Sequence, residues 1–279
     1  MQSYLPTNLK AKAFFTPSQS RLPWRIRRIM KISKALEKQN KERPVAGMTG
    51  KLDDHLYMYH MPYSYTAEQI RKIRTQIFHL SDRPIPRVIM VTSSVPAEGK
   101  TIVASNLAIS IAKSEERHVL LIECDMRRPS LYRVFSFPRS PGLSEIIQGK
   151  ASIEDCLVKT PIDKFTILPA AEVPPSNPSE LLESRKMASV IKEVAMRYND
   201  RFIILDTPPI QATVDPKIIS SQVDGIIVVA RYRYIKRADF EAALENLPRD
   251  KIIGTVLNAV DEIPATKYKY KKYKYDKYY

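Results

Sequence analysis

Three short stretches of the 279-residue chain combine the residue types that bind and move phosphate. The first is SSVPAEGKT, Ser93 to Thr101, in which Ser94, Gly99, Lys100 and Thr101 fill the fixed positions of the G-x-x-x-x-G-K-[ST] phosphate loop, with Ser in place of the first Gly. Glycine at 99 lets the backbone curl so that several N–H groups point inward at phosphate oxygens. Lys100 offers a point charge to the β- and γ-phosphates, and Thr101 offers a hydroxyl to Mg²⁺. The second stretch, RFIILDTPP, is an apolar run ending in Asp206, the form of a Walker B carboxylate that holds Mg²⁺ directly or through water. The third is HVLLIECDMRRP, where Glu123 and Asp125 stand one residue apart ahead of Arg127 and Arg128. Two acids so spaced can share metal ligation and acceptance of a proton, or simply cap a strand exit.

These stretches need a scaffold that brings strand ends together, and the pattern around them supplies one. Apolar runs at 88–91, 119–123, 165–168, 201–205, 225–230 and 252–257 have the length of buried strands. Helical periodicity falls between them, at Ala67–Leu80, Ile102–Lys113, Ser179–Tyr198, Asp215–Ser221 and Lys236–Asn246. Continuous apolar strands alternating with helices predict an α/β fold of the P-loop NTPase type, a mostly parallel sheet covered by helices on both faces. In such a sheet the carboxyl ends of the strands face the ligand crevice, where all three stretches would meet. The helix beginning near Thr101 adds its positive end to the phosphate site.

Composition narrows the class. Hydrophobic residues make up 44% and charged residues 27%, a globular balance. No run approaches the roughly 18 to 20 apolar residues that cross a bilayer, and no secretory leader is visible. Cys124 and Cys156 are too few for a disulfide framework and fit a reducing cytosol. The net charge of +15 divides unevenly. Residues 1–51 hold 12 Lys and Arg against 2 Asp and Glu, residues 265–279 hold 6 against 1, and residues 52–264 balance at 27 each. A neutral central region disfavours nucleic-acid binding by the fold itself. Within the first 51 residues, LPWRIRRIMKISKALEKQ (22–39) reads as a basic amphipathic helix able to lie on an anionic membrane or dock a partner, or simply a solvated helical tail. Met30 inside it is a candidate alternative start. The expected organisation is a basic extension at 1–51, a linker at 52–65 marked by Pro62, a domain at 66–264 and a tail at 265–279. Extension and tail are expected to be disordered.

The motifs, in this order and spacing, resemble the bacterial tyrosine kinases (BY-kinases) of capsule and exopolysaccharide synthesis, of the exosortase-associated type. The resemblance covers about residues 66–279. It adds VPPSNPSELLES (173–184), the E-x-x-R-x-x-R run of Glu68, Arg71 and Arg74, the terminal tyrosines, and ISKALEKQNKE near the N-terminus. It implies an ATP-dependent protein-tyrosine autokinase whose nucleotide lies against Ser94, Val95, Pro96, Ala97, Glu98, Gly99, Lys100, Thr101 and Ile102. Lys100, Glu123, Asp125 and Asp206 are then catalytic, with Mg²⁺ held by Thr101, Asp125 and Asp206. Glu123 takes the place that activates the acceptor hydroxyl, where the family's D-x-D-x-R motif has Asp. Ser94 and Ala97 stand where loop glycines are common. The same resemblance implies a homo-oligomer contacted through Glu68, Arg71 and Arg74, a membrane polysaccharide co-polymerase as activator, and a cognate phosphotyrosine phosphatase. It places the protein in the cytoplasm, peripheral at the inner face of the cell membrane.

The tail YKYKKYKYDKYY holds the expected acceptors Tyr268, Tyr270, Tyr273, Tyr275, Tyr278 and Tyr279. Each phosphate adds about −1.5 to −2, so roughly three cancel the local +5 and six leave the tail strongly acidic. Unphosphorylated tails inserting into neighbouring subunits, then repelled once modified, would make this a charge switch on assembly. The alternatives are a partitioning-type ATPase of the Min/Par kind, a non-catalytic regulatory P-loop ATPase, and a basic–aromatic tail for nucleic acid or membrane. The first carries a Lys where this chain has Val95, and none of its chemistry calls for six terminal tyrosines.

Overall fold

β-branched and aliphatic runs too apolar for solvent on either face assemble into one seven-stranded sheet in the computed structural model, which describes residues 50–114, 117–196 and 201–260. The strands are β1 (Val88–Ser93), β2 (His118–Glu123), β3 (Val158–Lys159), β4 (Phe165–Leu168), β5 (Arg201–Asp206), β6 (Gly225–Arg231) and β7 (Ile252–Asn258). Their order is β3-β4-β2-β5-β1-β6-β7, with only the β3–β4 pair antiparallel. Alternate residues enter two separate cores, as a period of two requires. Ile89, Val91, Val119, Leu121, Ile204 and Val229 face one. Val88, Met90, Leu120, Ile122, Leu205 and Val228 face the other.

The first core is covered by α1 (Tyr57–His60), α2 (Tyr65–Phe78) and α3 (Lys100–Ala112). α2 starts where Ser64 accepts from the backbone N–H of Ala67, an ordinary N-cap. α3 is apolar almost all round and buried along most of its length, so it is a core helix rather than an amphipathic one. Three short helices follow β2: α4 (Leu131–Val134), α5 (Leu143–Ile147) and α6 (Ile153–Cys156). They lack a long period and were not expected. The second core is closed by α5 and α6 with α7 (Pro178–Glu183), α8 (Arg185–Met196), α9 (Asp215–Ser220) and α10 (Arg237–Leu244). The single helix expected over 179–198 is two, because Ser184 between them adopts an extended backbone and its hydroxyl accepts from Met187 N.

Residues 52–65 differ from the expected linker. Leu52, Leu56 and Met58 are buried in the first core. Asn106, inside α3, accepts from Met58 N at 2.9 Å and donates to the His55 carbonyl at 2.8 Å, while Lys113 Nζ reaches the Met58 carbonyl at 2.6 Å. Pro62 and the neighbouring turns shape this segment but do not release it, since its apolar side chains need the face that α3 offers. The amphipathic helix expected at 22–39 and the six tail tyrosines lie outside the described residues.

Leu56 is fully buried (0% exposed). Leu56→Ala is therefore expected to lower stability by about 2–5 kcal/mol, as core Leu truncations do. Urea denaturation checks it, and a loss under about 1 kcal/mol would return this segment to linker status.

Candidate functional site

Strand register sets the site. Val91 of β1 pairs with Asp206 of β5, and Asp206 pairs with Glu123 of β2, so the three predicted stretches end side by side at the carboxyl edge of the sheet. The phosphate loop leaves β1 and enters α3 through Gly99, whose φ of +86° lies in the left-handed region glycine adopts without strain. A Cβ there would stand 2.2 Å from Asn258 Nδ2. Ala97 is also left-handed, at φ +64°, a conformation that costs a non-glycine residue of order 1 kcal/mol. That is the physical price of the alanine at a common glycine position.

Lys100 Nζ is buried between two carboxylates, 3.1 Å from Asp125 Oδ2 and 3.8 Å from Asp206 Oδ1. Burial opposes its charge, but Asp206 and Asp125 outweigh that and hold its pKa above the ordinary lysine value. Thr101 Oγ1 donates to Asp206 Oδ2 at 2.7 Å. Burial pushes the Asp206 carboxyl up, against the pull of Lys100 and Thr101. Asp206 Oδ1 is fully buried and has no hydrogen-bond partner among the described residues. Hard oxygens from Thr101, Asp125 and Asp206 suit Mg²⁺, which keeps substrate phosphates and waters among its ligands. Among the described residues no group of three His, Cys, Asp or Glu makes a protein-only metal cage, so phosphate would have to complete this one.

Glu98 and Glu123 behave differently from what their positions imply. Glu98 turns away from the phosphate side: its carboxylate accepts from Val95 N at 2.9 Å and Arg231 N at 3.1 Å, and its carbonyl from Asn258 Nδ2 at 2.9 Å. The loop is thus clamped to the ends of β6 and β7. Glu123 is 1% exposed. Its Oε1 accepts from Ser130 N and Leu131 N (2.8 Å for the latter), and its Oε2 from Ala170 N at 3.3 Å. Both oxygens are committed to backbone, so here Glu123 braces two loops, at 130–131 and at 170. Burial raises its pKa to about 7, against those N–H donors, with Asp206 adding to the rise.

Of the expected contact residues on α2, Arg71 pairs with Glu68 Oε2 at 2.8 Å and donates to the Pro62 carbonyl at 2.7 Å, while Arg74 donates to the Ser110 carbonyl at 2.7 Å. These bonds brace α2 within its own chain. Asn258, Arg231 and Ser130 touch the loop or Thr101 and carried no sequence signal, because each lies far along the chain from the motif it serves.

Comparison with known proteins follows the same lines. A family model described as an AAA domain matches residues 86–244. The tyrosine-protein kinase YwqD of Bacillus subtilis is 34% identical over 200 residues, covering 71% of this chain and 82% of that protein. The chain belongs to the bacterial tyrosine-kinase family. The tyrosine-protein kinase Wzc of Salmonella typhimurium is also 34% identical over 201 residues, but the chain spans only 27% of its length. Among solved structures, the kinase domain of the Escherichia coli tyrosine kinase ETK superposes with a TM-score of 0.69 at 27% identity, covering 84% of this chain and 91% of that one.

The buried Glu123 titrates with a defined sign. Its carboxyl loses its proton near 4.5 when unfolded and near 7 when folded. Between those values the folded protein binds more protons, so this group's contribution falls as pH rises, by about 1.4 kcal/mol per pKa unit. Wild type measured against Glu123→Gln should lose relative stability from about pH 5 to about pH 8. A pH-independent difference between the two would refute it.

Proposed function

We propose that the protein is an ATP-dependent protein-tyrosine autokinase that phosphorylates its own C-terminal tyrosine cluster in trans and thereby regulates exopolysaccharide or capsule chain synthesis and export. The observation that carries this reading is the convergence of Lys100, Thr101, Asp125 and Asp206 at one sheet edge in a chain of this family. ATP would lie along residues 94–102, its β- and γ-phosphates exchanging for the carboxylates that now hold Lys100. Thr101, Asp125 and Asp206 would hold Mg²⁺, which neutralises charge on the transferring phosphoryl group when bound. Because that transfer is loose, positioning and charge matter more than a strong base. Asp125 would then turn from Lys100 to the cation while Glu123 keeps the following loop in shape, so the acceptor phenol needs only placement and a nearby proton acceptor.

Tail tyrosines separated by lysines suit delivery of a phenol to a neighbouring subunit, and the half-exposed Glu68–Arg71 face of α2 is a surface on which such neighbours could assemble. No helix among the described residues is long and apolar enough to cross a membrane. Activation by a membrane polysaccharide co-polymerase, reversal by a phosphotyrosine phosphatase and a place at the inner membrane face belong to the same reading.

Phosphotyrosine mapping after incubation with ATP and Mg²⁺, with and without the co-polymerase's cytoplasmic segment, tests it. Phosphate is expected on residues 268–279 and absent from Lys100→Met. Bound ATP without phosphotyrosine under every condition would leave a regulatory or partitioning ATPase instead.

A further inference from the structure

A second polar network lies beside the phosphate site and shares none of its residues. Asp215, at the start of α9, has a fully buried side chain (0% exposed). Its Oδ1 accepts from Ser179 Oγ at 2.6 Å and its Oδ2 from Arg127 Nε at 3.3 Å. Arg127 Nη2 closes the triangle on Ser179 Oγ at 2.8 Å. A buried carboxylate is costly unless a cation and donors meet it, so this is a specified arrangement rather than a chance surface contact. Each corner comes from a different segment: Arg127 from the loop after β2, Ser179 from the first turn of α7, and Asp215 from the start of α9.

The network leads to the reacting centre through the backbone. Arg127 is two residues past Asp125, and the next peptide N–H, that of Arg128, donates to Asp125 Oδ1 at 3.1 Å. The other oxygen of Asp125 holds Lys100. Fixing the Arg127 side chain therefore fixes the peptide that orients the Asp125 carboxylate. Arg127 itself is 44% exposed, so without Asp215 nothing in its burial would immobilise it.

We propose that Asp215 is a positioning residue for phosphoryl transfer, acting through Arg127 and jointed by Ser179 to set the loop that carries Asp125. This rests on the kinase reading above. Removing the carboxylate frees the loop, and a misplacement of the order of 1 Å is enough to cost about 100-fold in rate.

The test uses the full chain with Asp215→Asn, Arg127→Gln, the double variant, Ser179→Ala and Ser179→Thr. Three quantities are read: affinity for ADP–Mg²⁺, phosphate transfer to a synthetic tyrosine polymer, and amide hydrogen exchange over residues 126–131. The expected result is a roughly 10- to 100-fold lower transfer rate in each of the first two singles. The double should be no worse than the poorer single, ADP affinity should hold within about two-fold, and exchange at 126–131 should be faster. Ser179→Thr should retain most of the rate that Ser179→Ala loses. If Asp215→Asn does not fold, the Ser179 pair and Arg127→Gln decide the matter by the same readings. Losses that multiply in the double, unchanged exchange at 126–131, or ADP affinity falling in step with rate would each overturn the proposal. A wild type that transfers no phosphate would defeat the kinase reading alone, since faster exchange in the variants would still establish the pinning.

Discussion

One buried ammonium, that of Lys100, stands between the carboxylates of Asp125 and Asp206, and the arrangement of the whole carboxyl edge answers to it. Among the described residues, this grouping of two acids and one cation leaves Asp206 Oδ1 buried without a hydrogen-bond partner. Such a site is held ready for charge to be rearranged. On the proposed reading, phosphate oxygens would take over Lys100 and a divalent cation would take over the two acids. Preorganisation of this kind supplies most of what phosphoryl transfer asks of a protein.

The remaining acids at this edge do a different job. Glu98, Glu123 and Asp215 are all buried, and each spends its oxygens on groups that hold a loop. Glu98 ties the phosphate loop to the ends of β6 and β7, and Glu123 ties the turn into α4 to Ala170. Asp215 ties the loop after β2 to α7. Two carboxylates thus face the cation and three fasten the loops around them. Carboxylates suit the fastening role because each can accept several N–H donors at once, which meets the backbone groups that loop turns would otherwise leave buried and unpaired.

How far the sequence could be read depends on how local each cause was. The six expected strands are present, because a continuous β-branched run has few alternatives to a doubly covered parallel strand. The phosphate loop was legible for the same reason, since Gly99, Lys100 and Thr101 act on their own backbone and on the helix they begin. The segment at 52–65 was misread because Pro and Gly content describes local stiffness, whereas its burial comes from Asn106 and the face of α3 about 50 residues away.

The sequence by itself determined the chemistry available: a phosphate loop, two acidic strand ends, a tyrosine-rich tail and a parallel sheet to carry them. Only the tertiary structure decided which acids meet Lys100 and which fasten the loops. Glu123 and Asp125 are one residue apart in an exit from a strand, so nothing local separates their roles. The fold turns Glu123 inward onto three backbone N–H groups, two from the loop just downstream and one from Ala170, and leaves Asp125 against Lys100. Alternation alone would put residues two apart on the same face, so it is the backbone leaving β2 at Glu123, together with Lys100 and the loops at 130–131 and 170, that gives the two acids different surroundings.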